Sequence, residues 1–193
     1  RDDVESRGLG DVYKRQGMAF NYQDGFLYAV SGGNILQVNP ANGETATVDR
    51  LNTFLFGTPK GGLAIDYDGN FYAVTQDIST NETMLQKFRL ENNRIVDRQV
   101  VSLPEYPIQQ YSGSLVYSHE NNGLLWANDD GSLLWIAGSD MEHVQIAELG
   151  TIPESTRGTW SMNMCMYEIP ENVPEIPYAQ PTGASIRQKS YTL

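Results

Sequence analysis

Residues 17–48 read GMAFNYQDGFLYAVSGGNILQVNPANGETATV, and this stretch decides the fold. Side chains alternate between two faces through Gly17–Tyr22, which predicts a half-buried β-strand. Asp24-Gly25 then predicts a tight turn, because glycine adopts the positive φ that primed hairpin turns require. Further turn signals at residues 31–34 and 39–44 separate two more strands. The stretch therefore predicts four consecutive strands joined by hairpins.

The same pattern occurs twice more along the chain. The second copy begins GLAIDYDGNFYAV at Gly62, and the third begins GSLVYSHENNGLLWA at Gly113. Tyr28-Ala29 recurs as Tyr72-Ala73 (72 − 28 = 44 positions), and Trp126-Ala127 follows (126 − 72 = 54 positions). Four-stranded propeller blades repeat at about 40–50 residues. We therefore expect an all-β fold, a partial β-propeller of about three four-stranded antiparallel blades, with units over residues 17–60, 61–112 and 113–170.

The composition limits the classes of partner. The chain has 193 residues, a net charge of −11 and an isoelectric point near 4.5. Nucleic-acid binding is disfavoured, because phosphate contacts need clustered Lys and Arg. No apolar run is long enough to span a bilayer, so we expect no membrane insertion. The acidic charge favours solubility, with binding of cations or basic partners as the alternative.

The N-terminal residues differ from the repeats. Residues 11–16, DVYKRQ, resemble the in-frame translation of a transposon end that is used in preparing sequencing libraries. On that interpretation residues 1–16 are a non-native or disordered leader, and the chain is a fragment of a longer protein. A native polar leader is the alternative.

The C-terminal residues change character again. Prolines cluster between residues 170 and 181, so residues 171–180 are predicted to be a stiff linker. Residues 181–193, PTGASIRQKSYTL, resemble the first strand of bacterial Ig-like group 2 domains, which commonly open T-G-[VI]-S-[LI]-x-x-x-S-x-x-L. Ala184 departs from that pattern, where the family has a branched residue. An unrelated disordered tail is the alternative.

The first copy resembles a blade of quinoprotein-type β-propellers. The matching residues are Tyr28-Ala29-Val30, Gly33-Asn34-Ile35 and the turn VNPANGE at 38–44. Together with the Ig-like match, this resemblance implies a secreted bacterial surface protein, located outside the cell or on its surface. It implies a non-catalytic, adhesion-type binding or scaffold module, with carbohydrate or protein as partner. The alternatives are a fragment of a secreted polysaccharide-acting hydrolase or lyase whose active site lies elsewhere, and a quinone- or calcium-dependent propeller enzyme.

The sequence shows no catalytic constellation, and we expect neither catalytic residues nor a bound organic cofactor. It contains no G-x-S-x-G motif, and His119 and His143 lack the spacing of a zinc site. Asp66 and Asp68 lie in DYDGN, which resembles half of a calcium-binding loop. A weak Ca²⁺ site is one interpretation of this segment, and an ordinary hairpin turn is the other.

Aromatic and glycine residues supply the remaining candidates. Trp126, Trp135 and Trp160 are candidate ligand-binding residues, because exposed rings stack on sugars and peptides. Packing between blades is the alternative, favoured for Trp126 because its sequence position matches Tyr28 and Tyr72. The structural turns are predicted at Gly25, Gly69 and Gly123.

Overall fold

The computed structural model describes residues 15–51, 57–108, 114–128, 130–137 and 141–152, without the side chains of residues 15, 16, 58 and 61. Within these ranges every regular element is a β-strand, which confirms the predicted all-β class. The strands are β1 (Arg15–Asn21), β2 (Phe26–Ser31), β3 (Asn34–Val38), β4 (Thr45–Arg50), β5 (Thr58–Ile65), β6 (Phe71–Gln76), β7 (Thr83–Glu91), β8 (Arg94–Ser102), β9 (Leu115–Ser118), β10 (Gly123–Ala127), β11 (Ser132–Ala137) and β12 (Gln145–Thr151).

The strands form three four-stranded antiparallel sheets. Within each sheet, neighbouring strands are also consecutive in the sequence. We name them blade 1 (β1–β4), blade 2 (β5–β8) and blade 3 (β9–β12). Consecutive hairpins build each blade. In blade 1, for example, Asn21 pairs with Phe26 across the first hairpin and Tyr28 pairs with Gln37 across the second. The predicted arrangement of partial propeller blades is confirmed.

Blade 2 packs against blade 1 through one of its two faces. Leu63, Ile65 and Phe71 of blade 2 join Tyr28 and Ile35 of blade 1 in one apolar cluster. A fully buried side chain of this size contributes about 1.5–3 kcal/mol through loss of apolar surface from water. The cluster therefore holds the two blades together.

The opposite face of blade 2 packs against blade 3. Ala64, Tyr72 and Val74 join Leu124 and Trp126 in a second apolar cluster. Successive side chains of a strand point to opposite faces, so a strand with both faces covered is buried along its length. The first five residues of β6 are all buried, as this arrangement requires.

The first strands of successive blades lie side by side, β1 against β5 and β5 against β9. Gly17 and Gly62 permit this approach. A Cβ atom at Gly17 would collide with the backbone of Leu63, and one at Gly62 would collide with the backbone of Leu115. The glycine in each of the first two copies is thus needed for close contact between backbones.

Blade 3 is offset by one residue from the alignment that the sequence suggested. The equivalent cross-strand pairs are Met18–Ala29, Leu63–Ala73 and Leu115–Trp126. Trp126 therefore occupies the position of Ala29 and Ala73, so its predicted equivalence to Tyr28 and Tyr72 is wrong. A shift of one residue turns a strand side chain to the other face. Trp126 consequently packs toward blade 2, and Leu125 takes the tyrosine position.

Two strands begin earlier than the proposed units. β1 begins at Arg15, two residues before the predicted start, and β5 begins at Thr58 rather than after residue 60. Residues 1–14, the proposed linker at 171–180 and the Ig-like stretch at 181–193 lie outside the described residues. In the part of the chain that is described, no helix has the length and apolar character needed to cross a membrane.

Candidate functional site

Each first strand leads into a buried polar residue followed by an aromatic residue. The pairs are Asn21-Tyr22, Asp66-Tyr67 and Ser118-His119. The three polar residues expose only 6%, 6% and 0% of their surface. Buried polar groups require hydrogen-bond partners. All three find partners in the hairpin turn that they open.

In blade 1, Asn21 and Asp24 organise the turn together. The Asn21 Oδ1 atom accepts a hydrogen bond from the backbone N–H of Gln23 at 2.9 Å, and its Nδ2 atom donates to Asp24 Oδ2 at 3.1 Å. The hydroxyl of Tyr28 donates to the same Asp24 oxygen at 2.6 Å, and Gln37 Nε2 donates to that hydroxyl at 2.8 Å. This network fixes the turn from which Tyr22 projects.

In blade 2, the carboxylate of Asp66 performs the same task alone. Its Oδ1 atom accepts the backbone N–H of Asn70 at 2.8 Å. Its Oδ2 atom accepts the Asn70 side-chain amide at 2.8 Å and the Tyr72 hydroxyl at 3.1 Å. In blade 3, Ser118 Oγ accepts the backbone and side-chain N–H groups of Asn121 at 3.3 and 3.1 Å. Three different side chains thus stabilise equivalent turns.

The aromatic residues that follow converge at one end of the first strands. Tyr67 and His119 are stacked, with ring centroids 3.2 Å apart and planes 7° from parallel. Tyr22 meets Tyr67 nearly at right angles, with centroids 4.8 Å apart, and lies 6.2 Å from His119. Such ring pairs contribute about 0.5–1.5 kcal/mol beyond burial. We name Tyr22, Tyr67 and His119 the ring cluster; one ring comes from each blade.

Two further rings extend this aromatic surface. Phe20 contacts Tyr22 edge-on, with centroids 5.0 Å apart, and Tyr117 lies 5.0 Å from His119. All of these rings are half-buried, so part of their surface is accessible.

Exposed polar residues follow the rings in sequence. They are Gln23, Asp68 and Glu120. The side-chain amide of Gln23 donates to the backbone carbonyl of Tyr67, which connects the turn of blade 1 to that of blade 2. The arrangement offers accessible aromatic surface beside carboxylate and amide groups. This combination suits a polar ligand that also has apolar faces.

The structure gives the two proposed calcium ligands different surroundings. Both carboxylate oxygens of Asp66 accept hydrogen bonds within the turn, whereas Asp68 is exposed. Among the described residues no group of three or more His, Cys, Asp or Glu side chains is placed to hold a metal ion. The geometry therefore favours the hairpin-turn interpretation of DYDGN. A calcium loop requires several converging oxygen ligands.

Replacing Asp66 by alanine is expected to lower the free energy of unfolding by about 1–3 kcal/mol, because the buried Tyr72 hydroxyl and the Asn70 N–H lose their acceptor. Asp68→Ala should change it by less than about 0.5 kcal/mol. Urea unfolding with calcium and with a chelator measures both. If calcium stabilises the wild type and Asp66→Ala abolishes that effect, Asp66 is a calcium ligand and the turn interpretation is wrong.

Three tyrosines beside the turns are held in the neutral form. Burial, assisted by the negative charges of Asp66 and Asp68, raises the pKa of Tyr117 from 10.0 to about 12. Burial and Asp24 raise the pKa of Tyr28, and burial and Asp66 raise the pKa of Tyr72. Ionising any of them would place a second negative charge near a carboxylate.

These raised pKa values predict a loss of stability in alkali. The neutral form of Tyr117 contributes to the free energy of unfolding. This contribution is fully present below the unfolded-state pKa of 10.0, and it is lost as the pH rises through the folded-state pKa of about 12. Tyr117→Phe should therefore reduce the fall in the free energy of unfolding across this window. Urea unfolding at a series of pH values tests this. An unchanged fall in the variant would show that Tyr117 ionises as readily in the folded state as in the unfolded state.

The tryptophans do not form one ligand-binding surface. Trp126 is fully buried, so its ring cannot stack on an external ligand. Its prediction as a ligand-binding residue is therefore wrong, and Trp126 is a core residue. Trp135 is half-buried, and its ring lies over Gly123. Trp160 lies outside the described residues.

Two of the three predicted turn glycines have the expected conformation. Gly25 and Gly69 adopt φ values of 75° and 79°. Gly123 instead begins β10, and Asn122 before it takes the positive φ of 50°. A Cβ atom at Gly123 would lie 2.8 Å from the Ile136 carbonyl oxygen and would also meet the Trp135 ring. Gly123 is therefore required for packing and not for the turn.

Sequence reasoning missed the ring cluster. In the sequence, Tyr22 ends a predicted strand, Tyr67 lies within the DYDGN segment, and His119 is examined only as a zinc ligand. The sequence does contain a pattern that could have identified the cluster. A polar residue followed by an aromatic residue occurs at positions 21, 66 and 118, at intervals of 45 and 52 residues (66 − 21 = 45; 118 − 66 = 52). The one-residue offset of blade 3 concealed it.

Comparison with known proteins supports the fold. No protein-family profile and no curated protein matches the chain. Among solved structures, it is similar to the PQQ-bound aldose sugar dehydrogenase of Streptomyces coelicolor, a quinoprotein-type β-propeller, with a TM-score of 0.53 and 15% identity over 67% of this chain and 46% of that one.

Two other structures are more distantly similar. Hydrazine synthase of Kuenenia stuttgartiensis gives a TM-score of 0.45 at 12% identity, covering 69% of this chain and 41% of that one. A chain of the mitotic checkpoint complex gives 0.47 at 12% identity, covering 81% and 40%. This chain spans less than half the length of all three structures. The similarity to the aldose sugar dehydrogenase supports the propeller fold and nothing beyond it.

Proposed function

We propose that this chain is part of a non-catalytic propeller module that binds carbohydrate at a cell surface through the ring cluster. The supporting observation is the convergence of Tyr22, Tyr67 and His119, half-buried rings from three blades, at one end of the first strands. Aromatic faces bind the apolar faces of sugar rings, and neighbouring carboxylate and amide groups bind hydroxyls. Gln23, Asp68 and Glu120 supply such groups.

The charge of the chain narrows the ligand class. The net charge of −11 repels polyanionic glycans electrostatically as they approach, and this repulsion slows their association with the chain. Neutral or basic glycans are therefore the expected ligands. A protein partner would use the same surface through apolar contacts, and the binding experiment below separates the two.

The proposal of export and display rests on the sequence. The Ig-like resemblance of residues 181–193 and the blade pattern support a surface protein. The resemblance of residues 11–16 to a transposon end supports a chain that is longer in its natural form. Recovering the uninterrupted gene tests these points, since a signal peptide, further blades and a downstream Ig-like domain are expected. A gene that begins at Arg1 and ends at Leu193 would contradict them.

Binding of the full chain to an array of neutral oligosaccharides tests the function. We expect Tyr67→Ala to weaken binding about tenfold or more, as removal of a central aromatic contact does. Tyr67→Phe is the matched control, because it keeps the ring and should retain binding. Equal binding by wild type and Tyr67→Ala, or binding to peptides alone, would contradict the proposal. Shortened oligosaccharide products would identify a hydrolase or lyase instead.

A further inference from the structure

The dipeptide Asn-Gly occurs twice in the chain, at residues 42–43 and 122–123. The side-chain amide of an asparagine can be attacked by the backbone nitrogen of the residue that follows it. Glycine favours this attack, because it has no side chain to shield the nitrogen and its backbone is the most permissive. The two pairs have the same intrinsic chemistry, so a difference between them in the folded chain comes from their surroundings.

The first pair lies in the open turn between β3 and β4. Residues 40–44 are all exposed, and a Cβ atom added at Gly43 would have no neighbour within 4 Å. The Gly43 N–H donates a hydrogen bond to the Asn39 carbonyl at 2.8 Å. Because this bond lies in an exposed turn, water replaces its acceptor at little cost in free energy. The surroundings therefore leave the Gly43 nitrogen room to move.

The Asn42 side chain is already folded back over this nitrogen. Its Oδ1 atom accepts the backbone N–H of Glu44 at 3.0 Å, which forms an Asx turn. The turn closes around Gly43, so the side-chain carbonyl carbon of Asn42 is held beside the Gly43 nitrogen. The hydrogen bond also withdraws electron density from that carbonyl, which favours attack on its carbon.

The second pair is held in a different way. The Asn122 Oδ1 atom accepts the Tyr117 hydroxyl at 2.5 Å, so the side chain is directed toward β9. Gly123 is buried in β10, which is paired with β9 on one side and β11 on the other. A Cβ atom at Gly123 would meet the Trp135 ring. Moving the Gly123 nitrogen toward the Asn122 side chain would require this end of the strand to open.

We propose that Asn42 is a site of spontaneous deamidation and backbone isomerisation, and that the fold protects Asn122. The Gly43 nitrogen loses its proton and bonds to the side-chain carbonyl carbon of Asn42. The bond from that carbon to the amide nitrogen breaks, and ammonia leaves. Water then opens the cyclic imide at either carbonyl, giving aspartate or isoaspartate.

The reaction consumes water, releases ammonia and needs no oxidant or reductant. Its product carries one further negative charge in the turn between β3 and β4. In the isoaspartate form, the backbone runs through the former side chain of residue 42.

Incubation of the full chain at mildly alkaline pH tests the assignment, with tryptic peptides analysed by tandem mass spectrometry. Peptides 16–50 and 99–157 each contain one Asn-Gly pair. In the folded chain, deamidation should be about tenfold or more faster at Asn42 than at Asn122, because the reaction at Asn122 requires local opening. The product at Asn42 should include isoaspartate, which chromatography separates from aspartate.

The same incubation in urea is the control, because unfolding should bring the two rates close together. Equal rates in the folded chain, or a faster reaction at Asn122, would overturn the proposal. A difference as large in urea as in the folded chain would overturn it too, since the local sequence and not the fold would then be the cause.

Asn42→Ser verifies the reacting residue. It should remove the deamidated form of peptide 16–50, which retains the asparagines Asn21, Asn34 and Asn39. Undiminished deamidation of this peptide in the variant would assign the reaction to another asparagine and contradict the proposal.

Discussion

Trp126→Ala is expected to lower the free energy of unfolding by about 3–5 kcal/mol, the range for deleting a large buried aromatic side chain. The Trp126 side chain is fully buried between blades 2 and 3, in a cluster with Tyr72, Leu115 and Leu124. Removing it would leave a cavity at the interface that joins the two blades. Urea unfolding monitored by circular dichroism measures the change.

Two control variants make this prediction specific. The indole N–H of Trp126 has no hydrogen-bond partner in the described part of the chain, so Trp126→Phe loses volume but no hydrogen bond and should cost less than Trp126→Ala. Leu149 is 57% exposed, and Leu149→Ala should change stability by less than about 0.5 kcal/mol. If Trp126→Ala costs no more than Leu149→Ala, blade 3 does not pack on blade 2 as described.

Gly62→Ala is expected to destabilise the chain by about 1–3 kcal/mol or more, through overpacking rather than through a cavity. A Cβ atom there would meet the backbone nitrogen and Cβ of Leu115, and neither belongs to the flexible end of a side chain. The first strands β5 and β9 would have to separate. Because Tyr67 and His119 follow these strands, their stacking should weaken as well.

The matched control for Gly62→Ala is the equivalent position of blade 3. Ser114→Ala removes one hydroxyl and adds no volume, so it should change stability by less than about 0.5 kcal/mol. Thermal unfolding compares the two variants, and near-ultraviolet circular dichroism reports on the rings. A Gly62→Ala protein with unchanged stability and an unchanged aromatic spectrum would show that β5 and β9 are not in backbone contact.

The hairpins of blades 1 and 2 could be predicted from sequence because local chemistry determines them. Asp24-Gly25 and Asp68-Gly69 supply glycines at positive φ, and alternation in the flanking strands identifies the buried faces. The turn of blade 3 misled the prediction because an asparagine takes the positive φ. The resulting one-residue offset placed Trp126 on the wrong face, since strand side chains alternate with a period of two.

The candidate site could not be predicted in the same way, because it depends on contacts between blades. Tyr22, Tyr67 and His119 come together only when three first strands lie side by side with their ends level. No single blade contains more than one of these rings. For Asp66 the sequence was misleading in another way. Its neighbours in DYDGN suggested a calcium ligand, whereas its hydrogen bonds with Asn70 and Tyr72 give it a role in the turn.

The ring cluster also provides the most direct test of the central claim, that three successive blades meet at the ends of their first strands. The measurement is a two-dimensional NMR experiment on the chain with ring-labelled tyrosine and histidine. We predict nuclear Overhauser contacts between the rings of Tyr22 and Tyr67 and between those of Tyr67 and His119, with His119 ring protons shifted upfield by the stacked tyrosine. Absence of these contacts, with His119 at the chemical shifts of an unfolded chain, would contradict the arrangement of the blades and the binding site proposed on it.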